Sequence, residues 1–197
     1  MRNALLIVGI AALIVVAGAW YAFNRNSTQS PDTSGSMDSL TLTSFAFENN
    51  GKIPEKFTCD GDQVNPALSI AGVPEGTKSL ALLMDDPDIP QVFKQERGID
   101  SFDHWTLFNI LPETRGIAQG SSVGVVGANG AGKNTYTGPC PPREYEPSEH
   151  RYFFRLYALD TMLELPEGTS KADVLRAMQG HIIEQAELIG KYKRVAQ

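Results

Sequence analysis

The sequence predicts a mainly β protein, and three observations carry that expectation. Short apolar or alternating runs recur along the chain, at residues 40–47, 79–84, 104–110 and 152–159. Between them, 18 Gly and 12 Pro interrupt every stretch long enough to make an extended helix. Helical signals gather only after Ser170. Together these give a large central antiparallel sheet with a second, smaller sheet and one or two short helices near the C-terminus.

Taken in order, the chain opens on a segment that differs from the rest. Residues 4–23 carry no charge and follow Arg2, so they read as a membrane anchor or a secretory signal. Ala17-Gly18-Ala19 fits cleavage before Trp20, whereas the length of the run and the interfacial pair Trp20-Tyr21 favour an uncleaved anchor. Either outcome predicts export, with the protein membrane-anchored or free beyond the membrane. Residues 24–38, rich in Ser, Thr, Asn, Gln and Gly, read as a flexible linker, and residues 39–197 as one domain. After residue 27 there are 15 basic against 23 acidic side chains, which argues against a nucleic-acid partner.

Within the domain, residues 40–47 alternate apolar and small polar side chains, the period of a half-buried strand, before Glu48-Asn49-Asn50-Gly51 turns the chain. Residues 67–70 make a short strand, and residues 79–84 a buried one that runs straight into Asp85-Asp86-Pro87-Asp88-Ile89-Pro90. The prolines fix φ and remove donors, so the strand stops and the carboxylates sit in a stiff turn. Residues 91–103 are polar and charged and read as a long surface loop over this turn. Residues 104–110 and 152–159 are strands by their aromatic and branched content. Ser170 with Asp173 caps a helix that Gly180 ends. Residues 181–192 fit either a helix or a strand.

Gly127-Ala128-Asn129-Gly130-Ala131-Gly132-Lys133 has the spacing of a phosphate-binding loop, but Asn134 stands where Ser or Thr should hold a metal ion and no helix follows. It reads as a glycine loop, and no cofactor is expected. Cys59 and Cys140 leave three states open: a disulfide, a weak zinc site or separate thiols. Asp86, Asp88, His104 and His150 lie at strand ends and can converge, which supplies acceptors and imidazoles for anion binding or acid–base chemistry.

Asp86-Pro87-Asp88-Ile89-Pro90, His104-Trp105 with Phe108-Asn109-Ile110, Tyr136-x-Gly138-Pro139-Cys140-Pro141-Pro142 and His150-Arg151-Tyr152-x-Phe154 resemble, in order and spacing, the signature blocks of the phosphatidylethanolamine-binding protein family, and most closely its bacterial and archaeal Raf-kinase-inhibitor-like branch. The resemblance spans about residues 40–194. It implies a two-sheet β fold and a non-enzymatic, anion-binding pocket walled by Asp86 and Asp88, by His104, by Gly138, Cys140 and Pro141, and by His150 and Tyr152. It further implies a phosphorylated headgroup such as phosphoethanolamine as ligand and a protease or kinase as protein partner, and it leaves a homodimer open. Ile89 and Phe108 depart from the alanine and tyrosine frequent at those places, without removing a pocket polar group. Lys94, Arg97, Arg143, Glu144 and Tyr145 are expected at the pocket rim. A hydrolase that uses the same Asp and His groups is the rival reading.

Overall fold

The apolar run that ends in the acidic turn is the spine of the fold. The structure, a computed structural model, describes residues 39–194 and places this run as β4 (Ser79–Asp86), buried along its whole length. It lies antiparallel between β5 (Phe102–Ile110) and β8 (Glu149–Leu159). β9 (Ile182–Lys193) adds to β8, while β7 (Val125–Val126) and the parallel pair β2 (Gly51–Lys52) close the edges of a six-stranded sheet. A three-stranded sheet of β1 (Thr41–Ser44), β3 (Leu68–Ala71) and β6 (Gly116–Ile117) is the second layer.

Burial on both faces explains why β4 lacks the alternation of a half-exposed strand. Leu80, Leu82 and Met84 pack with Trp105, Phe154 and the small sheet's Leu42, Leu68 and Ile70. Ala81 and Leu83 point the other way, into a second cluster with Phe108, Leu159 and, from helix α2 (Lys171–Ala177) and its cap, Val174 and Met178. Each fully buried leucine contributes on the order of 1.5–3 kcal/mol. Ser170 caps α2 by accepting the Asp173 N–H, as the sequence predicts.

Three expectations change. Residues 91–103 are not all loop: helix α1 (Gln91–Arg97) follows Pro90 and ends where Gly98 adopts φ 64. The ambiguous tail is a strand, because β8 offers it a partner along its whole length. The first strand stops at Ser44, leaving Phe45 93% exposed.

The predicted location also needs correction. Among the described residues no helix is long and apolar enough to cross a membrane. α1 and α2 have seven residues each, about 10 Å of helix against a hydrocarbon layer of about 30 Å. The expected anchor or signal (residues 1–23) and the linker (24–38) lie outside the described residues, so nothing described supports membrane anchoring or export.

A candidate anion site at the end of the central sheet

β-sheet period and one bulge bring the polar residues together. In the β4–β8 register Met84 faces Phe154 and Asp85 faces Phe153, which puts Asp86 across from Tyr152 and on the same face as His150, two residues along β8. His150 Nδ1 donates to Asp86 Oδ2 at 2.7 Å, and Asp86 Oδ1 accepts the Asp88 N–H at 2.8 Å. Both side chains are buried. On β5, Met84 pairs with Trp105 and Asp85 with Asp103, so His104 is the extra residue of a β-bulge. Such an insertion re-aims a side chain, here toward the same strand end.

His104 has a fixed tautomer. Its Nδ1 lies 2.7 Å from the Thr137 carbonyl, which can only accept, so the proton sits on Nδ1 and Nε2 carries a lone pair. Burial pushes His104 below the ordinary imidazole range, against the opposing hydrogen bond and the nearby carboxylates Asp86, Asp103 and Asp85. The ring stays neutral near pH 7.

The third wall is the Thr137–Pro142 bend, written by residue as Thr137, Gly138, Cys140, Pro141 and Pro142. It is pinned to the turn at residues 55–59 by the Cys59–Cys140 disulfide, the Cys59 N–H to Pro139 carbonyl bond and the Tyr136 hydroxyl donating to the Phe57 carbonyl at 2.8 Å. The approach is so close that a Cβ on Gly138 would stand 2.6 Å from the Phe57 oxygen, so no larger residue fits. The disulfide settles the cysteine question, and among the described residues no group of three His, Cys, Asp or Glu could hold a metal ion. α1 roofs the site with Phe93 and Arg97, and Tyr145 meets Phe93 edge-on at 5.5 Å. The walls enclose a cavity of about 310 Å³.

Of the eight site residues expected from the sequence, Asp86, His104, Gly138, Cys140, Pro141 and His150 line this cavity. Asp88 and Tyr152 do not. Asp88 turns away to accept the backbone N–H, Nε and Nη2 of Arg151, whose guanidinium holds its carboxyl below the ordinary range. Tyr152 lies beneath the two imidazoles, edge-on to His104 and stacked with His150. Its hydroxyl is buried without a partner; the Cys140 amide approaches it without closing a hydrogen bond, and burial pushes its pKa up. Phe93, Ile99, Phe102 and Thr137 were not singled out from the sequence, although Pro90 and Gly98 frame α1 as a start and a stop. Of the expected rim residues, Arg97 lines the cavity, while Arg143 reaches toward Asp60 at 3.8 Å.

The glycine loop serves this site indirectly. Asn129 Oδ1 accepts the Ala131 and Lys133 N–H groups, and its amide donates to the Thr135 carbonyl and the Thr137 hydroxyl. The loop is organised around a buried asparagine and steadies the residue that fixes the His104 tautomer.

The sequence profile of the family described as phosphatidylethanolamine-binding protein matches residues 43–193. The chain belongs to this family. It is 45% identical over 162 residues to a UPF0098 protein of Methanothermobacter thermautotrophicus, covering 79% of this chain and 99% of that one. A UPF0098 protein of Chlamydia trachomatis is 41% identical over 156 residues, with the same coverage. Among solved structures, a phosphatidylethanolamine-binding protein homolog from Chlamydia trachomatis superposes with a TM-score of 0.73 at 40% identity, over 80% of this chain and 99% of that one. E. coli YbcL, described as a member of the mammalian family, superposes with a TM-score of 0.70 at 27% identity and the same coverage.

Four carboxylates at this end of the sheet are matched. Asp86 pairs with His150, Asp88 with Arg151, Asp85 with Arg155 and Lys171, and Asp103 with Lys171. Arg97 is left over: among the described residues no carboxylate lies within ion-pair distance of it.

Proposed function

We propose that this protein binds a small anion, of the kind a phosphorylated headgroup presents, in the cavity between Asp86, His104 and His150. One observation carries the reading: the His150 Nε2 is buried, has no partner and belongs to a residue that lines the cavity. A buried polar atom left unpaired is costly, and an anion oxygen sharing a proton with Nε2 removes the cost. Asp86 keeps one proton on Nδ1, so Nε2 is the ring atom left to share a proton with the ligand. Calorimetric titration of phosphate and acetate into wild type and His150→Ala tests this. Binding by wild type and loss in the variant is expected; equal binding by both, or none by either, removes the reading. Asp86→Asn is the companion variant. Its amide donates to His150 Nδ1 and moves the ring proton to Nε2, so phosphate binding persists.

The Asp86–His150 pair also favours a second reading, a hydrolase in which His150 acts as general base. Cys140 is consumed in the disulfide, so the nucleophile would be water. Turnover in an ester and phosphoester screen that His150→Ala abolishes would establish it.

A further inference from the structure

The face of the central sheet turned away from the small sheet is covered in part. α2 packs over Ala81, Leu83 and Phe108 and reaches Tyr157 and Leu159. Farther along β8 and β9 the same face is open among the described residues, with Phe153, Ile189 and Lys191 half-buried and Lys193 exposed.

The register sets three cations on one rung of this open face. Lys191 of β9 is the direct partner of Lys52 on β2 and of Arg151 on β8. Gly190 decides which way they point: it faces the core, where a Cβ would collide with Ile53, so Lys191 and its two partners are turned outward. The rung spans about 10 Å, and Lys193 adds a fourth cation two residues along. Like charges directly opposite one another destabilise a sheet. Asp88 answers Arg151, but among the described residues no carboxylate lies within ion-pair distance of Lys52, Lys191 or Lys193. Glu149, across from Lys193, stays beyond that distance. Lysine on an edge strand guards against stray pairing, which accounts for Lys52 but not for Lys191, whose strand lies between two others. The row also runs against the formal charge of the chain, −6.

On the next rung Phe153 pairs with Ile189, and the strip then dips into a cavity of about 270 Å³ lined by Arg155, Tyr157, Gln185 and Glu187. We propose that this strip docks an acidic segment of a partner protein, with carboxylates on Lys52, Lys191 and Lys193 and an apolar side chain on Phe153 and Ile189. Charge complementarity selects that occupant. Residues 1–38 hold Asp32 and Asp38 against Arg2 and Arg25 and have no net acid to offer. A second copy docked through the same face brings the same excess of lysine.

Fluorescence anisotropy of the full chain tests this with three labelled probes: a peptide of four glutamates followed by two leucines, its counterpart with glutamine for glutamate, and polyphosphate. The acidic peptide is expected to bind, and to weaken about tenfold between low salt and about 0.5 M salt. The glutamine peptide should bind at least about fivefold more weakly, and Lys191→Glu should weaken the acidic peptide by at least about as much. That variant also sets a carboxylate between Lys52 and Arg151, so its urea midpoint should rise, which separates lost docking from lost folding. Ile189→Thr should weaken the acidic peptide several-fold and leave polyphosphate unmoved. No binding of the acidic peptide, or equal binding by wild type and Lys191→Glu, overturns the proposal. So does binding that survives Lys191→Glu and disappears in His150→Ala, which places the acid in the cavity at the sheet end. A lower urea midpoint in Lys191→Glu would mean that the rung carries no repulsion, and overturns it as well. If Ile189→Thr leaves the acidic peptide unmoved, the apolar contact falls and the face is one for polyanions.

Discussion

His104 is the residue at which backbone irregularity becomes chemistry. The bulge in β5 turns it toward the strand end, and the Thr137 carbonyl fixes its proton. Neither was legible in the sequence, which showed an imidazole at the start of a strand but not the extra residue in the pairing. Asp88 was misplaced for a similar reason. Asp86-Pro87-Asp88 reads as two carboxylates on one turn, and only the fold shows Arg151 taking one of them away. The His104 environment sets a testable sign. Its folded pKa lies below the unfolded value near 6.5, so below that pH the unfolded chain binds a proton that the folded chain refuses. Stability then falls as pH drops from about 6.5 toward the folded value, by up to about 1.4 kcal/mol per pH unit from this group. Urea midpoints near pH 7 and about pH 5.5 should show this fall in wild type and a smaller one in His104→Gln. An identical fall in the variant would show that other groups set the acid sensitivity.

At the scale of elements, the strands with strong local signals were readable and the two pieces decided by neighbours were not. Ile182, Ile183, Ala186 and Ile189 suit a helical stripe as well as a strand, and β8 settles the choice by pairing along the whole segment. In α1 the apolar Val92 and Phe93 are adjacent, so no helical stripe appears; the signal lay in the flanking Pro90 and Gly98. The third wall was legible as Gly-Pro-Cys-Pro-Pro, but its anchorage was not, because the two cysteines are 81 residues apart. A crosslink over such a span is worth about 2–4 kcal/mol, chiefly by restricting the unfolded chain. The double variant Cys59→Ser/Cys140→Ser should lower the urea-derived stability by this amount. Gly138 and Pro141 sit on the wall this bond anchors, so phosphate affinity should fall as well. Unchanged affinity with lowered stability would show that the Tyr136–Phe57 and Cys59–Pro139 hydrogen bonds position the wall without the disulfide.

At the scale of the whole molecule, two of the compensated carboxylates, Asp60 and Asp88, act as clamps, and a small set of buried polar atoms among the described residues has no partner; stability should respond to the two groups in opposite directions. Asp60 binds Arg194 and Tyr192, tying the end of β9 to the disulfide turn, and Asp88 binds Arg151. Both carboxyls are held low, first by these side-chain hydrogen bonds, so their contribution is present above the ordinary carboxylate value and is lost as pH falls through the folded ones. His150 Nε2 and the Tyr152 hydroxyl are buried without partners and cost stability in the unliganded protein. Tyr152→Phe removes one such atom and keeps the ring between the imidazoles, so it should raise stability by about 1 kcal/mol. His150→Ala removes the other but leaves the buried Asp86 carboxylate without the donor on Oδ2, and an orphaned buried acceptor costs on the order of 1–3 kcal/mol. Saturating phosphate should stabilise wild type and Tyr152→Phe, since a ligand that binds only the folded state adds RT ln(1 + [L]/Kd), and should leave His150→Ala unmoved. Urea denaturation of the three proteins with and without phosphate measures all of these. A loss in Tyr152→Phe would mean that the hydroxyl has a partner, and a phosphate shift in His150→Ala would place the anion elsewhere.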